Sequence, residues 1–364
     1  MKPRILILGK LPPPYMGPAI ATQIILNSSL NDSFELLHID TKVNDSLNEM
    51  GRWSVRKLFR YFSLYMKMFV MLISKRPKLV LVPISQSTIG FLKDAVLIFL
   101  SRITFTKVIV QLRGSNFLNW QKRSGKWTRL FVRMTLRSTS GVIVLGQNLR
   151  YLFKDIFPDE KIFVSPNGAD YNLRFQEKQN AVVKLLYLAN LQSSKGIEDV
   201  IAAVKVLAQK RTDFHLDVVG QWRSEQIKKW CLTFVVENNL PVTFFPPDAA
   251  DKKFNFLSNA DVFVFTPREP EGHPWVIVEA MAAGLPIIST DQGAIIESVR
   301  EAENGFIVKV QNPAEIAQKL DFLISDPLLR IKMAKNSRKA YEERFTEAQM
   351  VKRLTEIFTS VIAN

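Results

Sequence analysis

Short apolar runs alternate with longer amphipathic stretches along the whole chain. In the N-terminal half the runs are Arg4–Leu8, Phe34–Ile39, Lys78–Val82, Lys107–Leu112, Gly141–Leu145 and Ile162–Val164. Each is too short for a helix and rich in aliphatic residues, so each reads as a strand. Helical patterns lie between them, and this βαβ rhythm predicts a parallel sheet. Ser165-Pro-Asn-Gly-Ala-Asp170 is followed by a polar stretch, Tyr171–Asn180, with no periodicity, and the domain boundary is placed there. A second alternating set follows: Lys184–Leu188, Leu216–Val219, Val242–Phe245, Asp261–Phe265, Pro286–Ser289 and Gly305–Val308. The pattern therefore predicts two α/β, Rossmann-like domains, over residues 1–170 and 181–345. A last amphipathic run, Ala348–Ile362, falls within residues 346–364.

Composition narrows the classes. At 364 residues the chain is long enough for two cores. Cys231 is the one cysteine, which excludes an internal disulfide and fits a reducing compartment. The N-terminal apolar run is too short for a signal peptide, and no run of about 18 apolar residues predicts a membrane span. The net charge of +15 is unevenly placed: residues 51–150 carry 19 Lys/Arg against one acidic residue, Asp94, hence +18 there and −3 elsewhere. Within that block, Trp53–Val70 and Trp120–Arg133 interleave cations with large aromatic and aliphatic groups. Three readings compete: a core helix with a solvated basic face, a nucleic-acid surface, and an anionic membrane surface. No zinc ligands, RNA-binding signature or DNA-binding helix pair supports nucleic acid; the core-helix reading stays open beside the membrane one, and an anionic membrane surface is the expected partner of residues 51–150.

The densest chemistry lies in Thr266-Pro-Arg-Glu-Pro-Glu271-Gly-His-Pro-Trp-Val-Ile-Val-Glu279-Ala-Met-Ala-Ala-Gly284-Leu-Pro286. Pro274 suits a first helical turn, Gly284 a left-handed helix end, and Pro286 prevents continuation. The spacing predicts a helix over about Pro274–Ala283 between two buried strands. Glu271 then sits in the preceding loop and Glu279 more than a turn inside the helix. Two Glu eight positions apart are common by chance. Here, however, the first lies beside free helix N–H groups at the carboxyl edge of a sheet, where ligands of such folds bind. That arrangement suits a negatively charged, hydroxyl-rich ligand: the N–H groups receive phosphate or sugar oxygens, and a carboxylate accepts from hydroxyls.

The segment resembles the Glu-x7-Glu signature of the family 4 glycosyltransferases, also called group 1. Ser289-Thr-Asp-Gln-Gly293-Ala-Ile-Ile-Glu297 and Asn304-Gly305-Phe-Ile-Val308 match that family's continuation. The likeness is dense from about Leu185 to Val310 and thinner before. It implies the GT-B fold, two Rossmann-like domains facing across a cleft, with the terminal helix crossing back onto the first. It also implies retaining transfer of a hexose from a UDP-, GDP- or ADP-sugar to a glycan acceptor, lipid-linked in many relatives. Glu271 would then meet the sugar, and Glu279 the ribose of the nucleotide. Gly272, His273, Pro274 and Trp275 would shape the sugar pocket, with the backbone of His273 mattering rather than its imidazole. Gly17, in Pro12-Pro-Pro-Tyr15-Met-Gly17-Pro, would lie near the phosphates, and Gly220 near the base. Asn167-Gly168 resembles the family's hinge turn.

Two departures stand out. Relatives hold the diphosphate with a Gly-Arg…Lys-Gly pair of cations; Lys195-Gly196 is present, but Ala189-Asn190 occupies the place of Gly-Arg. Arg268, close to Glu271 in sequence, is the candidate for the missing charge. The strand ending Gln111-Leu-Arg113-Gly-Ser-Asn116 resembles the family's His-Gly-Ser-Asp, with Arg113 replacing the histidine. An arginine stays protonated and is no base, yet it stabilises charge. In the retaining mechanism implied by the resemblance the departing diphosphate takes the acceptor's proton, so Lys195, Glu271 and Arg113 form the candidate catalytic set. The histidines His38, His215 and His273 are scattered and no Asp-x-Asp occurs, so no metal is expected. Taken with the composition, the resemblance implies a cytoplasmic enzyme of bacterial polysaccharide biosynthesis, peripheral on the inner membrane face. The rival reading is a degenerate GT-B scaffold that binds a membrane or partner.

Overall fold

A computed structural model describes residues 2–13, 16–42, 55–173, 175–177, 180–246 and 250–363. Tyr15, Trp53, Pro247 and positions 174, 178 and 179 of the expected boundary stretch lie outside the described residues. The chain divides into two compact units, Met1–Ala169 with Glu347–Asn364, and Asp170–Thr346.

The first unit holds β1 (Arg4–Gly9), β2 (Glu35–Asp40), β3 (Leu79–Pro83), β4 (Lys107–Gln111), β5 (Gly141–Val144) and β6 (Ile162–Val164). Its helices are α1 (Gly17–Asn27), α2 (Leu30–Ser33), α3 (Val55–Lys75), α4 (Thr88–Ile103), α5 (Phe117–Arg123) and α6 (Lys126–Arg137). The strands are all parallel, in the order β2-β1-β3-β4-β5-β6. Central strands are apolar without alternation because helices cover both faces: Ile5, Leu6 and Ile7 are fully buried, as are Leu79, Val80 and Leu81. The winding reverses between β1 and β3, which opens a crevice at their carboxyl ends.

The second unit holds β7 (Val183–Leu188), β8 (Phe214–Val219), β9 (Val242–Phe245), β10 (Val262–Phe265), β11 (Ile287–Thr290) and β12 (Gly305–Val308). Its helices are α7 (Ile197–Ala208), α8 (Glu225–Glu237), α9 (Ala250–Asn259), α10 (Trp275–Ala282), α11 (Ile295–Ser298), α12 (Pro313–Ser325) and α13 (Pro327–Arg344). The parallel order is β12-β11-β10-β7-β8-β9, with the reversal between β7 and β10. Helix starts follow local chemistry. Asn312 and Asp326 accept N–H bonds from Glu315 (3.2 Å) and Leu329 (2.9 Å), each followed by a proline in the first turn. All twelve expected strands form, with ends within two residues of the sequence pattern.

The last helix, α14 (Glu347–Ala363), packs on the sheet of the first unit. Met350, Leu354, Ile357, Phe358 and Val361 form one buried stripe against Ile5, Leu79, Leu81 and Ile109. Phe358 meets Phe34 edge-on at 6.0 Å, and Lys107 Nζ donates to the Ile362 carbonyl at 2.9 Å.

Three helices of the first unit expose apolar stripes at helical spacing. They are Phe59, Phe62, Met66, Val70 and Ile73 on α3; Ile89, Leu92, Val96, Phe99 and Ile103 on α4; and Trp127, Leu130 and Met134 on α6. Helix α4 packs beside both α3 and α6. Exposed Lys67, Lys126, Arg129 and Arg133 lie among them. The core-helix reading of this block therefore accounts only for the inward face, such as Met68 and Leu72.

Candidate active site

In the second unit the β7 and β10 loops meet at the reversal point. Lys195 ends a single 3-10 turn, Ser193–Lys195, after β7, and Gly196 follows with φ +77° as the cap of α7. A Cβ on Gly196 would sit 1.9 Å from the Thr266 carbonyl oxygen, so only glycine allows the two loops this approach. Arg268 N–H donates to Ser194 O at 3.0 Å, which joins the loops again. Tyr187, fully buried, donates its hydroxyl to the Lys195 carbonyl at 2.8 Å.

This scaffold sets Lys195 Nζ in an ion pair with Glu271 Oε1. Burial raises the Glu271 pKa above the ordinary carboxylate value, and Lys195 offsets this only in part. On its other side Glu271 is gripped by the β11 loop. Gly293 has φ +65°, and a Cβ there would lie 1.6 Å from the Glu271 carbonyl oxygen. Ala294 N–H donates to Gly272 O at 2.9 Å, and Thr290 Oγ1 to Pro267 O at 2.7 Å.

Glu279 sits on α10, whose cap is Pro274 and which is buried on nearly every side. Its side chain is 4% exposed and takes Lys253 Nζ on Oε1 at 2.7 Å, while Oε2 has no hydrogen-bond partner among the described residues. A buried, unfilled carboxylate oxygen is an acceptor waiting for a donor, such as a ligand hydroxyl. The sequence reading did not include Lys253. No motif marks it, because α9 brings it in from elsewhere in the chain.

Arg268 falls elsewhere than expected. Its guanidinium makes a bidentate pair with Asp199 at 2.6 and 2.7 Å and lies 3.6 Å from Glu198, so its charge is already answered. Beside Asn190, where relatives carry arginine, stands Arg223, whose Nε donates to Asn190 Oδ1 at 3.2 Å. The buried His273 imidazole meets Ser298 Oγ at 2.8 Å and stacks near Phe345, turned into the protein. Trp275 is likewise buried. Gly220 admits the β7 loop, since a Cβ would lie 1.8 Å from Ala189 O.

In the first unit, Arg113 follows β4 and donates Nη1 to Pro18 O, in the first turn of α1, at 3.3 Å. Its Nε has no partner among the described residues, and burial lowers its pKa to about 10, which leaves it charged at neutral pH. It lines a cavity of about 810 Å³ at the β1/β3 reversal, with Lys10, Lys42, Tyr61, Tyr65, Lys93 and Asp94. Gly17 begins α1 beside it. Asp94 accepts the Ser85 N–H at 2.7 Å, and burial pushes its pKa up to about 6. Among the described residues no three His, Cys, Asp or Glu side chains converge as metal ligands do.

The second unit matches a family model described as glycosyl transferases group 1 over residues 172–340. Over 250 residues the chain is 26% identical to the capsular polysaccharide biosynthesis glycosyltransferase CapM of Staphylococcus aureus, covering 64% of this chain and 65% of CapM. Over 184 residues it is 32% identical to the putative glycosyltransferase YtcC of Bacillus subtilis, covering 49% and 45%. The chain thus matches about half to two thirds of the length of these curated relatives. In fold it is similar to Anabaena HepE crystallised with UDP-glucose: TM-score 0.74, 20% identity, 98% of this chain and 99% of that one. Two parallel six-stranded α/β units make this the GT-B fold. Residues 172–340, and with them Lys195, Glu271 and Glu279, belong to the glycosyl transferases group 1 family.

Proposed function

We propose that this chain is a glycosyltransferase of polysaccharide biosynthesis that moves a hexose from a nucleotide-diphosphate sugar to a glycan acceptor. The observation that carries the reading is the pairing of Lys195 with Glu271 at the β7/β10 reversal. It is joined by a buried Glu279 oxygen without a partner among the described residues. CapM is named for capsular polysaccharide biosynthesis, and the similar HepE was crystallised with UDP-glucose. In the transfer, the bond from the anomeric carbon to the diphosphate oxygen breaks and the acceptor oxygen bonds to that carbon. The acceptor's proton passes to the departing diphosphate. Negative charge grows on the leaving oxygens, and Lys195 is the cation that stabilises it. Glu271 accepts from the sugar's hydroxyls, and Glu279 Oε2 accepts from the ribose. Arg113 adds fixed positive charge, not a base. Retention, independence of metal and a lipid-linked acceptor belong to this proposal.

The membrane face of the proposal rests on the three exposed stripes of α3, α4 and α6 and the cations among them. No helix among the described residues is long and apolar enough to cross a membrane. The stripes therefore suit peripheral attachment to the anionic inner face of the cytoplasmic membrane. The second reading, a degenerate scaffold, draws on Asn190 and Arg113. A thermal-shift and hydrolysis screen against UDP-, GDP- and ADP-sugars separates the two, with Glu279→Ala as control. Stabilisation and slow hydrolysis with one of them, both lost in the variant, support the transferase. No response to any of them supports the scaffold.

A further inference from the structure

We infer that Arg223 is a second diphosphate-binding cation of this site, aimed by Asn190. The inference rests on the nucleotide-sugar reading above and deepens it.

Strands β7 and β8 pair in parallel from Val183·Phe214 to Leu188·Val219. The pairing then resumes beyond the sheet, at Leu191·Trp222. Leu191 N–H donates to Gln221 O at 2.9 Å, and Arg223 N–H donates to Leu191 O at 3.1 Å. Gly220 makes this continuation possible through its close approach to Ala189 O. The backbone of Arg223 is therefore registered against the β7 loop and does not wander at a loop tip.

Its side chain is held as well. Nε donates to the Asn190 amide oxygen, an acceptor that orients a guanidinium without neutralising it. Arg211, Arg268, Arg300 and Arg338 of the same unit each face a carboxylate, at 2.6–3.2 Å. Arg223 faces none among the described residues, and its two terminal nitrogens have no partner there. An anchored, exposed guanidinium with uncompensated charge is a fork for two phosphate oxygens. The loop that carries Asn190 runs directly into Lys195, so the two cations stand on the paired β7 and β8 loops at the carboxyl edge of the sheet. A lysine supplies a point charge, and the arginine adds directional bonds.

The test is titration calorimetry with UDP, GDP and ADP, followed by the monophosphate of whichever nucleotide binds. Arg223→Ala is expected to weaken diphosphate binding by about 10–100-fold, the range for losing charge-assisted hydrogen bonds. The monophosphate should change by no more than about threefold, because it lacks the outer phosphate. Asn190→Arg in the Arg223→Ala background should recover most of the diphosphate affinity. A purely structural role would not produce that rescue. Arg223→Ala that binds diphosphate like the unmodified protein, or that loses both nucleotides equally, overturns the inference. Glu279→Ala keeps the underlying reading separate: it should lose monophosphate and diphosphate alike. If the unmodified protein binds none of the three diphosphates, the nucleotide-sugar reading falls, and this inference with it.

Discussion

Lys195 Nζ and Glu271 Oε1 form an ion pair that ties the β7 loop to the β10 loop, and the pair works against burial in setting how Glu271 ionises. Burial raises the glutamate's pKa and the ammonium pulls it back incompletely. With a raised folded pKa the native state is the stronger proton binder, so this group adds stability as pH falls through that pKa. The carboxylate form needed at the sugar is lost at the same time. Sugar turnover should therefore decline on acidification at a pH above the ordinary glutamate range. Lys195→Ala should move that decline further up in pH and lower kcat by about 10²–10³-fold. Profiles of kcat/KM against pH for both proteins check this; identical acid limbs would remove the pair from the mechanism.

Gly293 tests whether the position of Glu271 matters independently of its charge. A methyl at Gly293 would meet the Glu271 carbonyl oxygen at 1.6 Å from a backbone with φ +65°. Gly293→Ala must displace the loop, by strain costing on the order of 1–3 kcal/mol. Turnover should fall by at least about 10²-fold, because small misplacements cost heavily in catalysis. Gly125→Ala, whose new methyl meets nothing within 4 Å, is the control. Equal activity in the two variants would show that the loop tolerates the shift.

The exposed stripes predict vesicle binding. Phe59, Phe62 and Phe99 are 71%, 61% and 63% exposed. Burying each in the headgroup boundary contributes about 1 kcal/mol or more, so their joint replacement by serine should weaken attachment by about 10²-fold. Flotation with phosphatidylglycerol vesicles measures this. High salt should weaken the unmodified protein's binding too, since cations surround the stripe. Nucleotide binding should not change. Undiminished flotation of the triple variant would mean that attachment uses another surface.

The fold was legible because parallel strands buried on both faces appear as short apolar runs, and helices with caps such as Asn312 and Asp326 announce their starts. The placement of Glu271 and Glu279 about the start of α10 was legible from Pro274 and Gly284, whereas Lys195 was singled out only by the family resemblance. Lys253 and Arg223 were not legible, since each reaches its place through a loop or helix whose path no local pattern encodes. Arg268 misled for the same reason. Nearness to Glu271 in sequence says nothing of Asp199, which lies in the first turn of α7 and takes up its guanidinium. The aromatic and basic block of residues 51–150 was legible as a composition, but only the fold showed which face of each helix stays outside.

Asp94 offers a test of the first unit that does not depend on the sugar reading. It lines the cavity with Lys10, Lys93, Tyr65 and Arg113, and burial pushes its pKa to about 6 despite the Ser85 N–H and the nearby lysines. An unfolded aspartate titrates near 4, so the native state gains protons relative to the unfolded one between those values, and stability declines as pH rises through that window. By neutral pH the ionised carboxylate costs up to about 3 kcal/mol at 1.4 kcal/mol per unit, less whatever solvent in the cavity returns. Asp94→Asn keeps an acceptor for Ser85 and removes the charge. It should therefore raise the melting temperature at pH 7.5 by a few degrees and leave it nearly unchanged at pH 4. Thermal melts at the two pH values decide. A variant less stable than the unmodified protein at pH 7.5 would mean that the lysines hold Asp94 ionised more firmly than burial opposes it.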